Sequence, residues 1–165
     1  MKKVIPILIL LTLSKVSLAQ GLTLEVFGSG LTVPTLSYDH TFLLYRTNSK
    51  QSGLGLRLKA GAGYMRFQSE DAFARKFGLS LPFGKRLQLE AGIDFCLLNR
   101  YGTNVIDYTE RFYYPFVGWR FGKGALKGLV SVGPFFSPTK DNGAFVGYPP
   151  FWFNLGITYQ FKEPF

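Results

Sequence analysis

The chain has 165 residues, 19 of them basic, 10 acidic and one a histidine, with 17 Phe, 9 Tyr, 2 Trp and a single Cys. One cysteine excludes an internal disulfide, so an exported form of this chain must be held together by other means. The basic excess is modest and scattered, which excludes the basic stripe of a nucleic-acid binder; no stretch after residue 20 reaches the roughly 18 apolar residues of a spanning helix.

Residues 1–19, MKKVIPILILLTLSKVSLA, have the three parts of a secretory signal peptide. Lys2 and Lys3 are followed by an apolar run from Val4 to Leu13 and by Ser17-Leu18-Ala19, a small-x-small cleavage site. The run is about ten residues, short of the roughly 20 that span a bilayer as a helix. No Cys follows the site, so a lipid-anchored terminus is not indicated. Cleavage after Ala19 leaves residues 20–165 as one domain. Three lysines leave with the signal, and 16 basic against 10 acidic residues give a balance of +6.

Beyond the signal, eight segments alternate apolar and polar residues with a period of two, the signature of strands with unlike faces. They fall at about 22–28, 35–45, 54–66, 73–83, 86–97, 112–121, 125–136 and 151–161, with Gly and Pro in nearly every gap. Two gaps are tight, Gly84-Lys85 and Gly122-Lys123-Gly124, the second within a GKGALKG stretch that lacks a phosphate loop's spacing and reads as a turn. Three are longer, at 67–72, 98–111 and 137–150, and 105–108 reads as loop. The 46–53 gap joins the short series by parity. Such alternation matches the short periplasmic turns and longer extracellular loops of outer-membrane barrels, and an even strand number sets both termini on the periplasmic side.

The third segment, GLGLRLKAGAGYMRF, shows which face is which. Leu54, Leu56, Leu58, Ala60, Ala62 and Tyr64 share one side; Gly55, Arg57, Lys59, Gly61, Gly63 and Met65 share the other. In the last segment Phe151, Phe153, Leu155, Ile157, Tyr159 and Phe161 oppose Trp152, Asn154, Gly156, Thr158 and Gln160. Eight strands leave an interior only just filled by ordinary side chains. The large aromatic sets would overfill it, whereas glycines and polar residues fit. Arg57 or Lys59 on a lipid face would each cost about 2–4 kcal/mol near the midplane. The expectation is therefore Leu, Phe and Tyr outward and charges inward. Ten residues at about 3.3 Å, tilted near 45°, rise on the order of 23 Å, close to the lipid-facing band of such barrels. Phe42, Tyr45, Tyr64, Phe67, Phe83, Phe112, Tyr113, Phe136, Phe151, Tyr159 and Phe161 lie near segment ends, as interfacial girdles require.

The stretches LEVFGSG (24–30), LSYDHTF (36–42), LPFGKRLQLEAGIDF (81–95), YPFVGWRFGKG (114–124) and FNLGITYQF (153–161) resemble small eight-stranded outer-membrane β-barrel proteins of Gram-negative bacteria, of OmpA/OmpX-like architecture. The resemblance implies an all-β, eight-stranded antiparallel up-and-down transmembrane β-barrel in the cell outer membrane. It also implies contact with outer-membrane lipid and lipopolysaccharide, passage through periplasmic chaperones and the assembly machinery, and a monomeric state. Family members end on an aromatic residue that the machinery reads; here Phe161 and Phe165 both qualify.

Strand phase assigns the lumen four acids, Glu25, Asp39, Glu90 and Asp94, and four bases, Arg57, Lys59, Lys76 and Arg120. A balanced set in a narrow space reads as a structural charge network that replaces an apolar core. The single histidine, His40 in SYDHTF, falls outward in mid-strand while Asp39 and Thr41 turn inward, so Asp39 is badly placed to orient it as a catalytic triad requires. Cys96 reads as a small buried side chain. No Cys/His cluster suggests a metal, and neither a cofactor, a catalytic residue nor nucleic-acid binding is expected. Loops 98–111 and 137–150, rich in Tyr, Asn, Gly and Pro, are the candidates for contact with a surface partner. The expected role is structural or surface-interacting, not enzymatic. The alternatives are a lipid-A-modifying acyl enzyme and a soluble secreted barrel that binds a small apolar ligand.

Overall fold

A computed structural model describes residues 17–26, 33–46, 53–67, 70–84, 87–102, 105–137 and 151–161. Eight strands follow one another: β1 (Ser17–Val26), β2 (Thr35–Arg46), β3 (Gly53–Phe67), β4 (Glu70–Phe83), β5 (Leu87–Gly102), β6 (Val105–Phe121), β7 (Leu126–Pro134) and β8 (Phe151–Gln160). Each pairs antiparallel with its chain neighbours, and β1 closes on β8 from Gly21↔Gln160 to Val26↔Leu155, giving a closed barrel. Closure leaves no exposed sheet edge.

Odd-numbered hairpins turn at the end opposite both termini. At the terminal end the chain turns on Gly84, Gly122 and Gly124, whose φ values of 97°, 137° and 69° favour glycine. A Cβ at Gly122 would also press on the Leu126 carbonyl.

Several expected boundaries move. β1 begins at Ser17, five residues before the expected 22, and its pairing with β2 shifts register between Ser17 and Ala19. Residues 1–16 of the expected signal, residues 27–28, the body of the 46–53 gap, the 138–150 part of the last expected loop, and Phe165 lie outside the described residues. The expected loop 98–111 is instead two strand ends. β5 and β6 stay paired through Leu97↔Arg111, Asn99↔Thr109 and Arg100↔Tyr108 to Gly102↔Val105, so 105–108 is strand. β3 and β4 likewise pair out to Phe67↔Glu70, which reduces the expected 67–72 gap to residues 68–69. Thr, Tyr, Val and Ile in these stretches suit a pleated surface, and paired partners override the turn signals of scattered Gly and Asn. The β3–β4 and β5–β6 connections are therefore projecting hairpins.

The two faces are unlike. Leu, Ile, Val, Phe, Tyr and Trp on the outward phase of the strands are exposed or half-buried, Phe151 and Phe153 exposed to more than 60%. The inward phase is buried and mixes large side chains with glycines. Gly61 stands between Ser37 and Lys76, Gly92 between Ser80 and Phe116, and Gly118 between Glu90 and Ser131. A Cβ at any of these three would collide with the flanking serine, so the glycines make room for the longer inward side chains.

One seam is irregular. β6 and β7 pair from Val117↔Val132 to Phe121↔Gly128. The same register resumes at Tyr113 and Phe136, which exchange two backbone hydrogen bonds of 2.8 and 2.9 Å. Between them that register sets Pro115 opposite Pro134 at a hydrogen-bonding position, where neither residue has an N–H to give. Outside this stretch lies an apolar groove of about 440 Å³ lined by Pro115, Val117, Val132, Pro134, Ala91 and Phe151, among others.

Candidate functional site

The inward side chains of β5, read from the terminal end, run Gln88, Glu90, Asp94, Cys96, Leu98, and all are buried. The lumen follows the same order: charged and polar over the terminal part, apolar towards the projecting hairpins.

Glu90 is the centre of the first cluster. Its carboxylate accepts from Arg57 Nη1 (2.5 Å), from Arg120 Nε (2.9 Å) and from the Ser80 hydroxyl. Arg57 also donates to Thr41 Oγ1 (2.9 Å) and Gln88 Oε1 (3.2 Å). Arg120 reaches across the lumen to Asp39 Oδ2 (2.8 Å) and Thr158 Oγ1 (2.7 Å), and Thr23 Oγ1 donates to the same Asp39 oxygen at 2.7 Å. Arg57 and Arg120 can share one acid because each guanidinium spreads its charge over a planar fork of donors.

A second cluster lies further along the axis. Lys76 pairs with Glu25 and, at 2.9 Å, with Asp94; Lys59 meets Asp94 at 3.2 Å and Glu25 at 3.9 Å. Asn154 Nδ2 donates to Glu25 at 2.8 Å, and the Lys59 ammonium sits 4.7 Å from the centroid of the Phe116 ring. Two carboxylates and two ammonium groups thus interlock, each touching both opposites, and paired ions of this kind tolerate burial that a lone charge does not.

All eight charged positions assigned to the lumen, Glu25, Asp39, Arg57, Lys59, Lys76, Glu90, Asp94 and Arg120, are at most 4% exposed and lie in these two clusters. Sequence reasoning omitted a ninth, Lys127, which is buried on the inward phase of β7. Its signal was available: Leu126 is outward at the start of the strand, so residue 127 turns in. The buried balance among the described residues is therefore five bases to four acids.

Above the ions the lumen is not polar, which corrects the expectation of a polar side-chain filling throughout. Val33, Ala74, Cys96, Leu98, Phe112, Tyr114, Phe116 and Phe135 form one buried cluster with Met65, Ala72 and Trp152 against it. The rings of Phe112 and Phe135 pack at 4.8 Å, Tyr114 and Phe116 stack at 5.7 Å, and the Tyr114 hydroxyl donates to the Trp152 carbonyl at 3.0 Å. Phe112 is therefore a lumenal plug residue and not a girdle residue. Phase explains it: with Arg120 inward, every even position back to 112 on β6 is inward. Cys96 is buried in this cluster.

His40 lies on the outer face, its ring 4.5 Å from Phe42 and its Nδ1 3.4 Å from the Tyr38 hydroxyl. Asp39 is on the other side of the wall, bonded to Thr23 and Arg120. Among the described residues, no three His, Cys, Asp or Glu side chains converge as metal ligands. Chemically, the described lumen is a set of interlocked ion pairs capped by packed rings. No protein-family model matches the chain, and neither does any curated protein.

Proposed function

We propose that this chain is an integral protein of the Gram-negative outer membrane, of OmpA/OmpX-like architecture. In this reading it is exported by a cleavable leader, its filled lumen serves as a core, and its projecting hairpins carry a structural or surface-interaction role. The observation that carries the reading is the inverted polarity of the barrel. Thirty large apolar side chains are exposed on the described wall, while nine charged groups are buried inside it. In water such a surface would far exceed the few hundred Å² of contiguous apolar patch a soluble monomer normally bears. In lipid it is the favourable arrangement, because a closed barrel pairs its backbone polar groups within the wall, apart from the two rungs lost at Pro115 and Pro134.

The lumen favours this over a soluble carrier of an apolar ligand, since side chains occupy the space a ligand would need. The same filling favours a plug over a conducting pore. The alternative of a lipid-A-modifying acyl enzyme finds no support in the outward His40, and no catalytic residue is proposed. Fractionation of cells that express the full chain tests the reading. The mature protein is expected with the outer membrane, released by detergent, lacking residues 1–19, and at different gel mobilities boiled and unboiled. Recovery from the soluble periplasmic fraction would overturn it.

A further inference from the structure

The outward face of β3–β6 can be read as rows from the pairing register. Leu58, Leu79, Ile93 and Pro115 make one row; Ala60, Phe77, Phe95 and Tyr113 make the next towards the projecting hairpins, with the Phe95 and Tyr113 rings 5.1 Å apart. Both rows are free of charge. The row after them is Ala62, Arg75, Leu97 and Arg111, the first on this face to carry charge. Arg75 and Arg111 are exposed, on the same side of the wall, two strands apart with only Leu97 between them.

Among the described side chains, neither arginine is paired with an acid. Arg75 Nη2 donates to the Asn99 side-chain oxygen at 2.9 Å, and Asn99 in turn donates to Thr109 Oγ1 at 3.0 Å, which holds Arg75 along the sheet without cancelling its charge. Among the described residues no carboxylate lies within ion-pair distance of Arg75 or Arg111. The outward acid of β4, Asp71, is two rows higher than Arg75 and is taken by Tyr64 and, at 3.8 Å, by Arg66. Two unpaired guanidinium forks at the rim of an apolar band, flanked by the aromatic side chains of Phe77 and Tyr113, complement an amphiphile. Its acyl part lies along the band and its anionic groups lie at the rim.

We propose that Arg75 and Arg111 form a binding shelf for the phosphate groups of outer-leaflet lipopolysaccharide. This rests on the membrane reading above, in which the projecting hairpins lie on the outer side. The shelf supplies charge complementarity that phospholipid with a zwitterionic head does not use, and its planar donors suit phosphate better than ammonium groups would. Because an outward arginine is tolerated near the interface and penalised at the midplane, the same row marks where the band ends.

The test uses the mature chain refolded in dodecylmaltoside micelles, with folding read from the heat-dependent gel shift. Diphosphoryl lipid A titrated into the micelles is expected to raise the unfolding midpoint in urea saturably, and dephosphorylated lipid A is not. Arg75→Gln and Arg111→Gln should each weaken the apparent affinity by about tenfold, as loss of a charge-assisted hydrogen bond implies. Lys123→Gln, in the turn at the opposite end, should leave it unchanged. If Arg75→Gln, which loses the hydrogen bond to Asn99, folds poorly, Arg111→Gln alone carries the test, since no ion pair or hydrogen bond to another described residue is lost with it. Equal affinity of wild type and Arg111→Gln, or an equal response to dephosphorylated lipid A, would overturn the shelf while leaving the membrane reading intact. Full displacement of lipid A by inorganic phosphate would overturn the lipid assignment in favour of a free-anion site. Absence of a heat-dependent gel shift in the wild type would overturn the membrane reading, and the shelf with it.

Discussion

The Lys59 ammonium and the Asp94 carboxylate meet at 3.2 Å across the strand that lies between them, and the residue of that strand in the same row is Gly78. A Cβ at Gly78 would strike the Asp94 carboxylate and press on Lys59 Cε. The ion pair therefore depends on a missing side chain as much as on the two charges. Gly78→Ala should lower the stability of the refolded barrel by about 1–3 kcal/mol, the range for overpacking a filled interior, and Gly78→Val by more. Urea unfolding midpoints in micelles read the effect. An unchanged midpoint for Gly78→Val would mean that the two groups meet elsewhere.

Among the described residues Glu90 is the only carboxylate paired with Arg57, whereas Arg120 also has Asp39. Glu90→Leu should therefore strand Arg57 and cost about 3–5 kcal/mol if the site stays dry, less if water enters. Adding Arg57→Met should recover part of that loss, and the double-mutant cycle should show a coupling larger than the one for Glu90 and Arg120. Additive losses would mean that Glu90 is simply hydrated.

Leu89 and Gln88 are neighbours on opposite faces of β5, one 44% exposed and the other buried. Leu89→Arg on a lipid-facing wall should cost about 2–4 kcal/mol near the midplane, whereas on a water-facing wall it would fall within about 0.5 kcal/mol of neutral. Gln88→Arg places a third guanidinium against Arg57 and Arg120, so it should also be damaging. Glutamate separates the two positions. Gln88→Glu offers Arg57 a second carboxylate and should be tolerated, and Leu89→Glu should not. Assembly yield in the membrane fraction checks both.

Cys96 sits under the aromatic plug at 1% exposure. In the folded barrel its reaction with a maleimide should be slower than in urea by on the order of 10³-fold or more, because reagent meets it only through opening. Phe112→Ala, which removes a ring packed on Phe135, should destabilise by about 3–5 kcal/mol and speed the labelling accordingly. Fast labelling of the native wild type would contradict a closed plug.

Strand number and facing were legible because period two is a local property: once Arg57 or Glu90 is inward, every second residue follows. The identity of each ion pair was not, because it depends on tilt and register between strands far apart in sequence. Arg120 on β6 finds Asp39 on β2 across the lumen, and no spacing announces that. Hairpin length is not legible in this way: Gly and Asn make 98–111 read as one loop, while pairing between β5 and β6 carries the ladder on to Gly102↔Val105. The plug was legible in principle, since the phase that places Arg120 inside also places Phe116, Tyr114 and Phe112 there. It was missed because aromatic residues near strand ends were assigned to the interface on type alone.

The facing prolines of the β6–β7 seam give the wall a preferred line of yielding. With Pro115 opposite Pro134, the ladder lacks two rungs between the Val117–Phe121 stretch and the Tyr113–Phe136 bridge. The bridge is then held by its own two bonds and by the Phe112–Phe135 ring contact behind it, so it behaves as a latch. Breathing of the cylinder should begin there and spread towards β8, and the Phe136 amide should exchange with deuterium well before the amides of Gly128 to Val132.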